Sequence, residues 1–453
     1  MYTELFFDDY RLLGRTGTER RYGVPELINE YYDPEYSTDY FSPWVFDKDG
    51  ETVMLYMGRN RTTGKFALLA ASSPDGIDFS PLKHNGTNEV MQLAGGEEPL
   101  SILEDVFAPP EEKYKLILTR YNQKQFYVRA QVLSSPDLIT WSNFLDEIPD
   151  CGCEPVGGVF FNAHRQCYTV LRRPTWGNRC VGYCDTKDFK HYTEYELCLH
   201  QDALDGPLDE IYGMSAFGYA GMYIGFPLIY TDNAPSRKAK FEPGSIVPQL
   251  AYSWDGHHFL RSLRTSFLPD YTGEPALFWL SCARMAANRE ILLYCAMTPE
   301  AHGTAFRNHQ SGRIRIYRLR EDGFISLNAG ADEATVTTRE YLYKGGDICV
   351  NLCAEQATVA IIDTCGEDPA SQAWGTETSA AGFDHGDCRE FSGDSTCWRP
   401  RFKGGSLERF RDRIIILEIK LKNGALYSVS GDLRPLTNTQ SARYRAMGIV
   451  SEI

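Results

Sequence analysis

The chain has 453 residues, of which 43% are apolar and 13% aromatic, so it can offset the entropy lost on folding and is not a mainly disordered protein. Its 46 Lys and Arg stand against 61 Asp and Glu, a formal net charge of −15. Because this charge repels phosphate backbones and anionic lipid head groups, we expect neither nucleic acid nor a membrane as a partner.

Residues 1–38 come before the first internal repeat of the sequence and include the run Leu5-Phe6-Phe7-Asp8-Asp9-Tyr10. We expect this N-terminal segment to pack on the domain that follows, where it either closes that domain or lines its mouth.

A repeated pattern occupies residues 39–327. A short apolar strand leads into a polar turn with an aspartate, and an aromatic residue follows. The turn aspartates are Asp75, Asp137, Asp188, Asp255 and Asp322, on average about 62 residues apart. In each unit three β-branched or aromatic segments precede the turn and one follows it. Four strands in each of five units predict a five-bladed β-propeller; a series of β-sandwiches is the alternative.

After residue 327 the pattern changes to Thr- and Val-rich strand segments. These segments are residues 334–339, 348–352, 358–363, 414–421 and 425–429. They predict a second domain, a β-sandwich, over residues 328–453. The whole chain is therefore predicted to be all-β.

Two further features bear on where the protein works. No run approaches the ~18 consecutive apolar residues of a membrane span, and residues 1–14 lack the features of a secretory signal peptide. The 13 cysteines lie between Cys151 and Cys397 without the paired CxxC spacing of a zinc site. We interpret them as mostly buried free thiols and expect a cytoplasmic protein.

Acidic residues recur where each innermost propeller strand is predicted to begin. They are Asp39, Glu98, Glu154, Glu210 with Asp209 beside it, and Glu274. The innermost strands surround the propeller axis, so these side chains are predicted to share one funnel. With 61 acids in 453 residues, one near any strand start is close to chance, so the set is more informative than any member. Cleavage of a glycosidic bond needs an acid and a carboxylate on either side of the bond. We therefore treat Asp39, Glu98, Glu154, Asp209 and Glu210 as candidate catalytic residues.

Other residues near the predicted strand ends are candidates for substrate binding. Arg120, Arg173 and Glu274 can hydrogen-bond to hydroxyl groups, His302 lies in a loop that can lean over the funnel, and Trp44 and Tyr212 can stack on a sugar ring. A surface or core role is the alternative for each. The Cys and His positions form no metal-ligand spacing, and no GxGxxG, Walker or GxSxG motif occurs. We predict no metal and no cofactor.

The sequence resembles a known group of enzymes along nearly its whole length. The resemblance is carried by Leu5-Phe6-Phe7-Asp8-Asp9, Tyr114-Lys115-Leu116, Tyr168 to Pro174, Asp209-Glu210-Ile211-Tyr212-Gly213-Met214 and Asp322-Gly323-Phe324-Ile325-Ser326-Leu327. These runs resemble the five-bladed propeller glycosidases of glycoside hydrolase families 32, 43 and 68, and more closely the bacterial proteins described as family-32-like. The resemblance implies hydrolysis of furanosides such as fructosides or arabinosides. It assigns Asp39, Glu98 and Glu154 as nucleophile or base, stabiliser and general acid, with Asp209-Glu210 as an alternative position for the acid.

The first hypothesis is therefore an exo-acting glycosidase whose substrate is a short oligosaccharide or glycoside of furanose sugars. A phosphorylase or transglycosidase, in which Arg172 and Arg173 hold phosphate in place of water, is the second. A non-catalytic sugar-binding propeller is the third, because a fold does not dictate a function. The sequence leaves open whether the chain forms a homo-oligomer.

Overall fold

A computed structural model describes residues 1–39, 42–122, 127–142, 146–148, 157–174, 176, 178–232, 244–302, 311–364 and 379–448. The chain divides into two compact units. The first unit consists of Met1–Gly23 together with Glu321–Ile453, and the second consists of Val24–Arg320. No helix in the described ranges is long and apolar enough to cross a membrane.

Five short strands begin the chain and are shared between the two units. The first unit takes β1 (Tyr2–Leu5), β2 (Leu12–Thr16) and β3 (Thr18–Tyr22). The second unit takes β4 (Glu26–Tyr31) and β5 (Tyr36–Thr38).

The second unit is built from antiparallel blades whose strands follow one another along the chain. Blade 1 contains β5, β6 (Trp44–Lys48), β7 (Glu51–Asn60), β8 (Phe66–Ser73), β9 (Ser80–Pro81) and β10 (Glu89–Leu93). Blade 2 contains β11 (Glu97–Glu104), β12 (Tyr114–Asn122), β13 (Tyr127–Ser135) and β14 (Asp146–Ile148). Blade 3 contains β15 (Gly158–Asn162), β16 (Cys167–Arg172), β17 (Val181–Thr186) and β18 (Glu196–Leu199).

Two further blades complete this unit. Blade 4 contains β19 (Asp209–Tyr219), β20 (Met222–Asp232), β21 (Gly244–Pro248) and β22 (Ala251–Ser253). Blade 5 contains β23 (Leu277–Met285), β24 (Ile291–Thr298), β25 (Arg313–Leu319) and, as its outer strand, β4.

The innermost strands of the five blades form a closed ring. In the order β6, β11, β15, β19 and β23 each strand contacts the next, and β23 contacts β6. The unit is therefore a five-bladed β-propeller, as the sequence predicted. The outer strand of blade 5 differs from the prediction, which placed it at residues 324–327. β4 pairs with β25 instead, from Ile314↔Tyr31 to Arg318↔Glu26, so the start of the unit seals its last sheet.

The repeated aspartate has the same role in four blades. Its side chain accepts hydrogen bonds from the backbone N–H groups of the second and third residues after it. This holds for Asp75, Asp137, Asp188 and Asp255. An aspartate that bonds its own backbone in this way is typical of a tight turn. Asp322 differs, because it lies in the first unit and accepts a hydrogen bond from Ser428 at 2.6 Å.

The first unit is a β-sandwich around two long strands. After Glu321 it contains β26 (Ile325–Ala329), β27 (Ala334–Thr338), β28 (Tyr341–Asp363), β29 (Phe391–Trp398), β30 (Arg413–Pro435) and helix α1 (Asn438–Met447). The first half of β30 pairs with β27 and its second half pairs with β26. β28 pairs with β30 along nearly the whole length of both strands. Side chains from both halves, such as Leu417 and Leu426, are buried in one core.

The domain boundaries of the structure differ from those expected at residues 38 and 327. β1 pairs with β30, β2 with β27 and β3 with β26, so Met1–Gly23 groups with the C-terminal strands. The pattern of a strand shows that it needs partners for its backbone groups but not which strand supplies them, and this is why the sequence could not place the segment.

The cysteines include one disulfide that the sequence did not suggest. Cys349 and Cys397 join β28 to β29. Most of the other described cysteines are buried thiols, as expected: Cys167, Cys180, Cys184, Cys198, Cys295 and Cys388.

Candidate active site

The inner strands of the propeller run side by side in the same direction. A side chain built on Gly158 would lie 3.4 Å from the Cα of Ser215 in the next blade. The Ser215 hydroxyl donates to the Leu280 carbonyl at 2.8 Å, and the Ser281 hydroxyl donates to the Pro43 carbonyl at 2.5 Å. Gly158 is the first residue of β15 and Pro43 directly precedes β6, whereas Ser215 and Ser281 lie in the middle of β19 and β23, so neighbouring inner strands are offset from one another. The predicted acids lie at the end of the ring where the inner strands start. We call this the acid end.

Asp39 lies at the acid end of blade 1, between β5 and β6. Both of these strands pair with β7, and the Asp39 N–H donates to the Met57 carbonyl of β7 at 2.8 Å. The Ser42 hydroxyl donates to the Asp39 carbonyl at 3.1 Å. Asp39 is buried, and its backbone is therefore fixed on both sides.

Blade 2 presents two adjacent glutamates at the start of β11. Glu97 is buried, and its carboxylate accepts from Arg120 Nε at 2.5 Å and from the Ala94 N–H at 2.8 Å. Glu98 is half-buried, and its carbonyl accepts from the Thr119 hydroxyl at 2.8 Å. The sequence predicted Glu98 as the functional residue of this pair. It missed Glu97, whose partner Arg120 was predicted as a substrate-binding residue.

Blade 4 also begins with an acidic pair, and its two members have different surroundings. Asp209 accepts from the Thr231 hydroxyl at 2.6 Å and from the Gly206 N–H at 3.0 Å, so both of its carboxylate oxygens hold the local backbone and the neighbouring strand. Glu210 forms an ion pair with Arg179, and both side chains keep about a third of their surface exposed.

Tyr212 lies at a β-bulge of β19, where the pairing with β20 shifts between Ile211 and Gly213. A bulge bends the strand and redirects a side chain. The Tyr212 hydroxyl lies 2.9 Å from His302 Nε2, and its ring packs edge-on against Trp279 at 6.2 Å. The bulge thus places the tyrosine between blades 4 and 5.

Two arginines complete the cluster around Tyr212. The guanidinium of Arg173 lies over the Tyr212 ring, 4.5 Å from its centre, and donates to the Tyr212 carbonyl at 2.6 Å. The guanidinium of Arg179 lies 5.0 Å from the centre of the Tyr230 ring. Burial raises the pKa of Tyr230, and the charge of Arg179 only partly opposes this. A cation over an aromatic face is attracted by the ring, so these contacts help to position both guanidinium groups.

A cavity of about 620 Å³ extends along the ring axis beyond the acid end. It is lined by residues of all five inner strands, including Trp44, Phe160, Phe217 and Trp279. Trp44 was predicted to bind substrate; in the structure it lines this axial cavity. Trp279 touches both the cavity and Tyr212, so the cavity begins next to the tyrosine cluster.

The structure thus brings together part of the predicted set. Arg173 and His302 both contact Tyr212, and Arg179 lies near the Tyr212 ring and pairs with Glu210. Glu274 is exposed just before β23. Glu154 lies outside the described residues. Arg179 was missed because it is in a loop before β17 and carries no strand or motif signal.

The comparisons with known proteins are limited to the fold. No protein-family model and no curated protein matches the chain. A glycosyl hydrolase from Bacteroides ovatus is 15% identical with a TM-score of 0.43, and the match covers 66% of this chain and 94% of that one. A structure from work on glycoside hydrolase family 130, which describes mannoside phosphorylases and hydrolases of β-1,2-mannosidic linkages in Candida mannan, is 17% identical with a TM-score of 0.43, covering 65% and 94%.

An N-acetylgalactosamine deacetylase from F. plautii is also similar, at 11% identity and a TM-score of 0.40. This match covers 67% of the chain and 96% of the deacetylase. Hydrolase and deacetylase names occur together among these structures, so similarity at this level does not select an activity.

Proposed function

We propose that the chain is a glycoside hydrolase that cleaves short furanosides at the acid end of its propeller. The observation that supports this most directly is that three different blades carry an acid at or just before the start of the inner strand. Glu98 and Glu210 are the second residues of β11 and β19, and Asp39 precedes β6 by five residues. Acid-catalysed cleavage of a glycosidic bond needs at least two carboxyl groups that flank the bond.

Within this proposal the roles of Asp39 and Glu98 are those that the family resemblance implies, and the contacts of Asp209 distinguish it from Glu210. Asp39 is the nucleophile or base, and Glu98 stabilises the cation-like transition state. Glu210, at the alternative position for the general acid, protonates the leaving oxygen. Glu154 is the other candidate for this role. Asp209 is a positioning residue, because Thr231 and Gly206 already occupy its oxygens.

The tyrosine cluster is proposed to hold the sugar. Arg173, Arg179 and His302 supply N–H groups beside the aromatic faces of Tyr212 and Tyr230. A sugar ring has an apolar face and a polar edge, so it fits a site that offers both an aromatic surface and hydrogen-bond donors.

A phosphorylase on the same scaffold is the second candidate. What favours it is that Arg173 and Arg179 both lie within 6 Å of the centre of the Tyr212 ring, close to Glu210. Paired arginines bind phosphate through several hydrogen bonds. In this version phosphate replaces water as the group that attacks the sugar.

The test is turnover of a panel of aryl furanosides and pyranosides by the wild type and by Asp39→Asn, Glu98→Gln and Glu210→Gln. Loss of a catalytic carboxyl is expected to lower kcat by at least about 100-fold. Glu51→Gln is the matched control, since Glu51 is an exposed glutamate at the opposite end of β6 and β7. Turnover that requires phosphate would select the phosphorylase. Unaltered turnover in all three variants would contradict both proposals, and sugar binding without turnover would leave a binding propeller.

A further inference from the structure

The first unit has its own groove, which the catalytic proposal does not use. It has a volume of about 720 Å³ and lies on β3, β26, β28 and β30, with Glu19, Arg21, Asn328, Cys353 and Tyr427 among its lining residues. We call it the sandwich groove. Every residue that lines it belongs to the first unit.

The strand register shows that this groove lies on the outer face of the sandwich. Leu327, Leu352 and Leu426 are buried in the core of the unit. Side chains alternate between the two faces of a strand, so the residue after each of these leucines faces outward. Those outward residues are Asn328, Cys353 and Tyr427, and the pairing Asn328↔Glu19 adds β3 to the same face.

The floor of the groove has almost no side chains. Ala329, Gly330, Gly424 and Ala425 line it. A side chain built on Gly424 would lie 2.4 Å from the Cys353 carbonyl oxygen, so this position accepts only glycine. Gly424 thus lies where β30 packs closely on β28, and the small residues of the lining leave space beside Tyr427.

The polar groups of the groove favour a neutral ligand. Arg21 Nε donates to Glu19 Oε2 at 2.8 Å, and both side chains are more than 60% exposed. Their charges cancel, while unused faces of the carboxylate and guanidinium remain open to solvent. The Asn328 amide donates to the Ser326 hydroxyl at 2.8 Å, which orients it at the groove. Donors and acceptors thus stand next to one aromatic ring, an arrangement that suits hydroxyl groups around a ring.

We propose that the sandwich groove binds one ring of a neutral saccharide, stacked on Tyr427 and hydrogen-bonded to Glu19, Arg21 and Asn328. An anion or a cation is disfavoured because the Glu19–Arg21 pair has no net charge. This site would hold a sugar independently of cleavage at the acid end, so the proposal stands even if the propeller only binds.

Cys353 provides a local reporter for the test, because its thiol is exposed and lines the groove. The probes are neutral di- to tetrasaccharides of common hexoses and pentoses, added to the full chain. The rate of Cys353 alkylation by iodoacetamide is followed by peptide mass spectrometry. We expect at least one saccharide to slow this alkylation in a saturable way. If none does, the proposal is overturned.

Variants then assign the effect to the groove. Tyr427→Ala removes the ring on which the sugar stacks and is expected to weaken protection by at least about tenfold. Tyr427→Phe keeps the ring and is expected to retain protection. Tyr10→Ala, at an exposed tyrosine of the same unit, is the control and should change nothing. Glu19→Gln removes the charged hydrogen-bond acceptor of the groove and leaves the core of the unit unchanged. Full protection in both Tyr427→Ala and Glu19→Gln would contradict the proposal. Retention of protection in Glu210→Gln separates this site from the acid end.

Discussion

Tyr212 of blade 4 and His302, which follows the second strand of blade 5, share a hydrogen bond of 2.9 Å in a buried setting. The two residues are 90 positions apart in the chain, and the packing of blade 5 against blade 4 brings them together. The same tyrosine holds Arg173 through its ring and its carbonyl. The contact therefore connects three blades at the acid end.

Removing the Tyr212 hydroxyl tests whether the tyrosine cluster contributes to the site. Tyr212→Phe leaves the ring but takes away the partner of His302, which costs about 1 kcal/mol of stability and disturbs the position of Arg173. We expect kcat/KM to fall by about tenfold while the free energy of unfolding falls by no more than about 1 kcal/mol. Tyr219→Phe, at the far end of β19, is the control. Equal kinetics in both variants would exclude the cluster from the site.

Closure of the propeller depends on a second set of contacts, between β4 and β25. Glu30 forms ion pairs with Arg313 at 3.1 Å and Arg315 at 2.6 Å, while the exposed Glu26 pairs with Arg318 at 2.6 Å. Since these groups are partly exposed, we expect Glu30→Gln to lower the free energy of unfolding by about 1 kcal/mol and Glu26→Gln by less than about 0.5 kcal/mol at pH 7. Chemical denaturation measures both; a larger loss for Glu26→Gln would contradict this ranking.

The effect of Glu30 is also expected to depend on pH. Burial raises the pKa of Glu30, but the hydrogen bonds from Arg315 and Arg313 outweigh it, so the net shift is downward. A lowered pKa in the folded state gives stability that is present above the ordinary glutamate pKa and is lost as the pH falls below it. The difference between wild type and Glu30→Gln should therefore shrink between about pH 5 and pH 3.

Glu4 of the first unit is expected to behave in the opposite way. It is buried, it accepts hydrogen bonds from Tyr2 at 2.5 Å and Tyr341 at 3.0 Å, and burial raises its pKa to about 7. The folded state then binds a proton that the unfolded state has lost, so stability falls as the pH rises from about 4.3 to 7.

Glu4→Gln removes this pH dependence and keeps an oxygen that accepts from both tyrosines. We expect the variant to match the wild type near pH 4 and to be more stable at pH 8, by an amount of the order of 3 kcal/mol or less. Melting temperatures across this range test the point. A variant that is less stable than the wild type at pH 8 would contradict it.

The repeated turn offers a prediction about the fold itself. Asp137 accepts from the N–H groups of Ile139 at 2.9 Å and Thr140 at 2.7 Å. Asp137→Ala leaves both donors without this acceptor and should cost about 1–2 kcal/mol, whereas Asp137→Asn keeps an acceptor and should cost less. Equal losses in the two variants, measured by urea unfolding, would show that the side-chain oxygen is not what stabilises the turn.

The propeller could be predicted from the sequence because the hydrogen bonds of its repeated turn join residues that are close together in the chain. The Asp75, Asp137 and Asp255 side chains bond their own turns, so the residues that define the repeat are close together in the chain. Asp322 has a similar local sequence, but it lies in the first unit, and its partner Ser428 in the same unit is 106 residues away in the chain. The pairing of β1 to β3 with C-terminal strands is equally non-local, and no pattern within those strands identifies it.

The candidate site was predictable to a similar extent. Strand starts identified Glu210 and Tyr212, because the inner strands have strong apolar patterns. The sequence could not show how the two adjacent acids differ: Asp209 accepts from Thr231 of the neighbouring strand, whereas Glu210 pairs with Arg179. Arg179 reaches Glu210 only through the folding of blade 3, and a loop arginine has no periodicity to mark it.

A crystal structure of the Glu210→Gln variant with a short furanoside tests the central claim most directly. We expect the sugar at the acid end, with the glycosidic oxygen within about 3 Å of the side chain at position 210 and the reacting carbon facing Asp39. A sugar that occupies only the axial cavity beyond Trp279, or that binds away from the starts of the inner strands, would contradict it.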